Sequence, residues 1–186
     1  MPEVLERVEA KLLTADEFME LPLDRVELVR GEVVHLMPPL FIHSICASRV
    51  YDALSAWAKQ AGRGFVSMEA SFLLSRDPDV VRAPDVFFVA NEQLEGQNFN
   101  SYIVGAPLLA VEVKSKNETF DSLLDKAAEY LQAGSQQVWI VQPGRQRVLV
   151  LSADESEISY RVGESISGGE ALPGLDLPVA EVFRSL

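Results

Sequence analysis

An α/β fold with a central mixed β-sheet flanked by α-helices, preceded by an N-terminal hairpin, is predicted by three observations on this chain of 186 residues. Short apolar runs are interspersed with long stretches of helical periodicity. One such stretch separates two of the runs, as a parallel strand–helix–strand unit requires, and tight turns marked by Gly or Pro fold other neighbours back as hairpins. With 48% hydrophobic residues the chain can bury a substantial core, and a single domain over residues 1–186 is expected.

Thr14-Ala15-Asp16-Glu17 has the capping-box pattern and opens a short helix that ends before Pro22. Residues 26–29 and 32–37 flank Arg30-Gly31 as a hairpin, and Pro38-Pro39 stops its second strand. Ile42, Ile45, Cys46, Val50, Ala53, Leu54, Trp57 and Ala61 recur at helical spacing, with Gly62 and Gly64 as the stop. Residues 65–74 alternate, with Ser67, Glu69 and Ser71 on one face of a half-buried strand, before the turn Asp77-Pro78-Asp79. Two apolar strands, residues 86–89 and 108–114, are joined by the polar segment 91–105, a long connection of the kind that often touches substrate. Residues 121–133 place Leu123, Leu124, Ala127, Ala128 and Leu131 on one helical face, with Gly134 as C-cap, and residues 138–141 return as a parallel strand. Pro143-Gly144 turns the chain into residues 147–151. Ser167-Gly168-Gly169 is expected to be an exposed loop, and Val179, Val182 and Phe183 to dock as a short closing helix.

Two carboxylates and an ammonium stand where this pattern calls for apolar residues. In Leu108-Leu109-Ala110-Val111-Glu112-Val113-Lys114 every residue before Glu112 is apolar, as in a strand covered on both faces. Side chains alternate along a strand, so Ala110, Glu112 and Lys114 share a face. A dry, unpaired carboxylate is costly, so Glu112 needs a cation, donors or water where the strand leaves the core. Asp85 opens the strand Val86-Phe87-Phe88-Val89. Antiparallel pairing sets the start of one strand beside the end of the other, so Asp85, Glu112 and Lys114 should converge. Asp85, Glu112 and the main-chain carbonyl of Val113 offer a partial oxygen shell for Mg²⁺, or for Mn²⁺, that water and substrate phosphate can complete. The chemistry to expect is metal-dependent phosphodiester hydrolysis, with Lys114 orienting water or offsetting charge on the phosphorus oxygens. The bland alternative is a solvated Glu112–Lys114 salt bridge, worth little to stability.

Pro84-Asp85 and Glu112-Val113-Lys114 resemble the signature of the PD-(D/E)XK nucleases, the restriction-endonuclease-like superfamily. Val26-Glu27-Leu28-Val29-Arg30-Gly31-Glu32-Val33, Pro38-Pro39, His43, Asp121, Lys126, Tyr130, Gly134 and Pro173-Gly174-Leu175 are similar to a large bacterial branch of that superfamily. The resemblance covers most of the chain. It implies a restriction-endonuclease-like core and a Mg²⁺-dependent endonuclease acting on DNA, with Asp85, Glu112 and Lys114 catalytic. In that branch a lysine of the following helix often replaces the one after the glutamate, and this chain has both Lys114 and Lys126. Glu9-Ala10-Lys11 also fits (D/E)XK and Pro78-Asp79 is a second PD. The first lies in a charged, helix-like stretch, and Arg82 and Pro84 cut the second off from the apolar run. The competing reading is a non-catalytic binding or assembly module that keeps the nuclease fold.

Further candidates are Lys126, His43 and Glu32. Lys126 can reach over the sheet end toward a phosphate or pair locally with Glu129 or Ser122. His43 begins the long helix as a proton acceptor, an extra ligand or an ordinary hydrogen-bonding residue. Glu32 is a further carboxylate or a solvated turn residue. Glu69 is expected to face solvent, with a third-ligand role as its alternative, and Tyr130 to pack. No G-x-x-x-x-G-K-[ST] or G-x-S-x-G occurs, and one cysteine, Cys46, excludes an internal disulfide.

The net charge of −12 opposes a free nucleic-acid binder. Residues 112–147 are balanced, however, with five acidic and five basic groups, and can present Lys114, Lys116, Lys126, Arg145 and Arg147. DNA contact is therefore expected to be weak, or to need a homodimer or partner. The acidic start Met1-Pro2-Glu3 lacks a signal-peptide pattern, and no apolar run approaches a membrane span, so a cytoplasmic location is expected.

Overall fold

The computed structural model describes residues 12–184, so the Glu9-Ala10-Lys11 match lies outside the described residues. α1 (Ala15–Met19) opens with the expected reciprocal cap: the Thr14 hydroxyl accepts the Glu17 N–H while the Glu17 carboxylate accepts the Thr14 N–H. β1 (Val26–Val29) and β2 (Glu32–His35) form the hairpin. Arg30 and Gly31 both take left-handed φ, 52° and 80°, as a two-residue turn between right-twisted strands requires. α2 (Phe41–Ala61) ends on Gly62.

The central mixed sheet has the order β11-β10-β9-β8-β6-β3. Its strands are β3 (Gly64–Ser67), β6 (Val86–Ala90), β8 (Leu109–Val113), β9 (Gln137–Gln142), β10 (Arg147–Ser152) and β11 (Glu157–Arg161). β8 and β9 run parallel with α3 (Phe120–Gln132) between them in sequence, as the strand–helix–strand spacing predicts. β6 and β8 run antiparallel with Val86 opposite Val111, which sets Asp85 beside the end of β8.

Alternation along these strands divides the core. Val86, Phe88, Val111 and Trp139 face α2 through Cys46, Val50, Leu54 and Trp57. Phe87, Ala110, Val138 and Ile140 face α3 through Leu123, Ala127 and Tyr130. A second sheet, of order β2-β1-β5-β4-β7, includes β4 (Phe72–Ser75), β5 (Val80–Arg82) and β7 (Ile103–Val104). Phe72, Leu74 and Val80 join the α3-side core, while Leu28, Leu73 and Val81 cover Ala15 and Phe18 of α1. β12 (Ser165–Ser167), β13 (Asp176–Pro178) and α4 (Val179–Phe183) close the α2 side. Among the described residues no helix is long and apolar enough to cross a membrane.

Two expectations, the single strand over residues 65–74 and the exposed loop at Gly168, are corrected. Residues 65–74 are not one strand: the chain leaves β3, bends through Glu69 at φ 55°, and enters the second sheet at β4. Polar residues at every second position conceal the bend, because a period of two carries no mark for a change of sheet. The segment 91–105 is tied to itself, with Gln97 donating to the Val104 carbonyl and accepting its N–H, and only Tyr102 of it lines the cleft described below. Gly168 is buried rather than part of an exposed loop, and a Cβ there would collide with the Leu172 carbonyl.

Candidate active site

Asp85 and Glu112 are both placed at the end of β8, through different devices. Asp85 Oδ2 accepts the Val113 N–H at 2.7 Å, so the carboxylate continues the β6–β8 ladder beyond its last strand residue. The same oxygen lies 3.2 Å from His43 Nε2, in the first turn of α2. Glu112 points to the opposite side of β8 from Val113, toward α3. Its Oε2 is 3.0 Å from Lys126 Nζ, and its Oε1 accepts the Tyr130 hydroxyl at 2.9 Å. Lys126 and Tyr130 are one helical turn apart, the spacing that brings two side chains to the same partner. Glu112 is 4% exposed, so the solvated Glu112–Lys114 bridge does not describe it.

The second sheet supplies charges that the sequence reading did not single out. Glu27, 1% exposed on β1, places Oε1 3.2 Å from Lys126 Nζ and Oε2 2.8 Å from Arg82 Nη1. Glu27 Oε1 also accepts the Ala83 N–H at 3.2 Å, two residues before Asp85. Arg82 reaches on to Glu129 Oε2 at 2.7 Å. A charged residue within a short apolar strand was the signal that exposed Glu112. Val26-Glu27-Leu28 and Val80-Val81-Arg82 carry that signal as well.

His43, Asp85, Glu112, Val113, Lys114 and Lys126 all line one cleft of about 1590 Å³. Lys114 is there, but its ammonium donates to the carbonyls of Ser115 at 3.0 Å and Glu118 at 2.6 Å, so it orders its own loop. Glu69 lies on the cleft wall. Glu32 is exposed at the turn end of the hairpin and does not line the cleft. Asp79, of the second PD, has a structural position: its carboxylate accepts the N–H of Ala15 at 2.6 Å and is 2.8 Å from Arg76 Nη1. Part of the cleft wall is apolar, with Leu23, Leu36, Met37, Leu40 and Ile42 exposed along it.

Burial pushes the Glu112 carboxyl up to about 8. Lys126 opposes the shift, and the charges of Asp85 and Glu27 add to it. Burial would lower Lys126, yet Glu112 and Glu27 outweigh it and hold the ammonium above its ordinary value. His43 is raised in the same way: burial lowers it, but the hydrogen bond and charge of Asp85, with Glu112 and Glu118, prevail. The pocket thus crowds carboxylates that repel one another, which together with burial raises the Glu112 carboxyl above its ordinary value. A divalent cation would relieve that repulsion, so the donor set fits a hard cation. Among the described residues no three His, Cys, Asp or Glu side chains surround one point. Two carboxylates with the Val113 carbonyl and several waters are the ligand set that Mg²⁺ tolerates.

A family model, Uma2, with the description "Putative restriction endonuclease", matches residues 15–180. Among solved structures the chain is similar to a protein of Anabaena variabilis described as "a putative nuclease belonging to DUF820". The TM-score is 0.80 at 19% identity, over 92% of this chain and 97% of that one. No curated protein matches the chain.

Proposed function

The chain belongs to the Uma2 family, within the restriction-endonuclease-like superfamily, and from that premise we propose that it is a Mg²⁺-dependent endonuclease hydrolysing phosphodiester bonds of DNA in the cytoplasm. The observation that carries this reading is the placement of Asp85 and Glu112, from antiparallel neighbours, on one cleft with Lys126 against Glu112. Asp85, Glu112 and the Val113 carbonyl would hold the ion. When bound, Mg²⁺ polarises the phosphodiester and eases formation of hydroxide from water, and Mn²⁺ can replace it.

The chain's own groups do the rest. Lys126, kept charged by two carboxylates, faces the site and offsets negative charge developing on the phosphorus oxygens. We therefore give the role first expected of Lys114 to Lys126. His43 donates to Asp85 and fixes the orientation of that carboxylate. Tyr130 does the same for Glu112. Lys116 and Arg145 line the cleft, make no ion pair among the described residues, and are available to flanking phosphates. A homodimer, which doubles this modest cationic surface, belongs to the same reading.

Cleavage of supercoiled plasmid tests it. Wild type is expected to nick DNA with Mg²⁺ or Mn²⁺ and not with chelator, while Asp85→Ala and Glu112→Ala show no metal-dependent cleavage. The net charge of −12 and the apolar part of the cleft wall favour a second reading, a non-catalytic binding module. Indistinguishable behaviour of wild type and Glu112→Ala would support that one.

A further inference from the structure

We propose that Glu27 is a positioning residue that keeps a permanent counter-charge on Lys126, so that Glu112 is free to exchange its lysine contact for the divalent ion. The inference rests on the metal reading above and concerns a residue to which that reading gives no part.

Lys126 Nζ stands between two carboxylates, 3.0 Å from Glu112 and 3.2 Å from Glu27, and only 8% of the residue is exposed. A buried ammonium stripped of its only anion is strongly destabilised. If Glu112 were that only anion, any cation entering the site would have to pull it away from Lys126. Glu27 removes the conflict. It does not line the cleft, it is bonded to Arg82 on its other oxygen, and it sits on the second sheet, so it stays with Lys126 whatever Glu112 does. Through the Ala83 N–H the same carboxylate also anchors the segment that carries Asp85. One buried side chain thereby fixes the lysine and steadies the approach to one ligand, without itself facing substrate.

Mn²⁺ binding, followed by titration calorimetry on the full chain without nucleic acid, tests this separately from cleavage. Glu27→Gln is expected to bind Mn²⁺ at least about tenfold more weakly than wild type, the usual scale for outer-shell partners of metal ligands. Glu27→Gln/Lys126→Met, which removes the stranded ammonium, should recover most of that loss. Glu27→Asp should stay near wild type. Arg82→Gln, which breaks the same cluster but leaves Glu27 on β1 beside Lys126, should lose far less Mn²⁺ affinity than Glu27→Gln. A merely structural Glu27 would lower stability in Glu27→Gln and Arg82→Gln alike, with unchanged Mn²⁺ affinity in both, and that result overturns the inference. If Glu27→Gln alone fails to fold, recovery of folding and Mn²⁺ binding in the double variant supports it, and failure of the double variant overturns it. A wild type that binds no Mn²⁺ removes the metal reading itself. Unchanged binding by Glu27→Gln removes the inference alone.

Discussion

Lys114 and Lys126 carry the same charge into the same cleft, yet their surroundings give them different work. The Lys114 ammonium is held by two loop carbonyls, whereas that of Lys126 lies between Glu112 and Glu27. Lys126→Met is therefore expected to lower kcat of the Mg²⁺-dependent reaction by about 10²–10³-fold, the loss typical of one electrostatic donor. Lys114→Met should lose far less, and equal losses in steady-state cleavage assays would contradict the assignment. Glu112 gives a second expectation. Its carboxyl is raised above the ordinary 4.5, so as pH climbs the unfolded chain releases this proton before the folded chain does. Stability from this group is full below the ordinary value and is lost as pH rises through the raised one. In chelator, Tm of wild type should fall between pH 5 and pH 8.5 relative to Glu112→Gln; parallel Tm curves would show that Glu112 titrates normally. Glu112 and Asp85 were legible in the sequence because charge interrupts apolar runs. Glu27 was hidden because a single glutamate in a hairpin strand also fits an amphipathic ribbon with one wet face. Only the packing of Lys126 and Arg82 against it reveals a dry one.

The elements that carry the site were the easiest to foresee. The β8–α3–β9 unit and the long helix α2 announce themselves by periodicity and glycine stops, whereas the register of β6 on β8 is given by the structure alone. β11, β12 and β13 escaped notice because each is short and mostly exposed, with little apolar pattern to read. The bend at Glu69 escaped for the reason of period given above. Asp79 shows how an element far from the chemistry can hold a motif look-alike. Burial works to raise its carboxyl, but the N–H groups of Ala15 and Asp77 and the Arg76 guanidinium outweigh it and hold it below the usual range. Its contribution is thus present above the ordinary carboxylate value and is lost as pH falls through the lowered one. Asp79→Ala should destabilise the chain by about 1–3 kcal/mol in urea unfolding, since it strands the Ala15 N–H at the start of α1. Mn²⁺ affinity should not change, and a loss of metal binding in this variant would mean that the second PD reaches the site after all.

The molecule as a whole is acidic, which limits how it can hold a polyanion. Outside the buried cluster the cleft offers Arg25, Lys114, Lys116 and Arg145. With so few cations, binding of catalytically inactive Glu112→Gln to duplex DNA should weaken with salt along a log–log slope no steeper than about −4 per protomer. A much steeper slope, measured by fluorescence anisotropy, would place a larger basic surface elsewhere. Met37 and Leu40, 74% and 54% exposed, line the same cleft as those cations. Crystals soaked in Mn²⁺ and measured at a wavelength where manganese scatters anomalously will decide whether the cleft is a metal centre. An anomalous peak bridged by the Asp85 and Glu112 carboxylates, with Lys126 still against Glu27, is the predicted result. A map with no peak there, or with Glu112 unmoved from Lys126 and manganese bound at another surface, would contradict it.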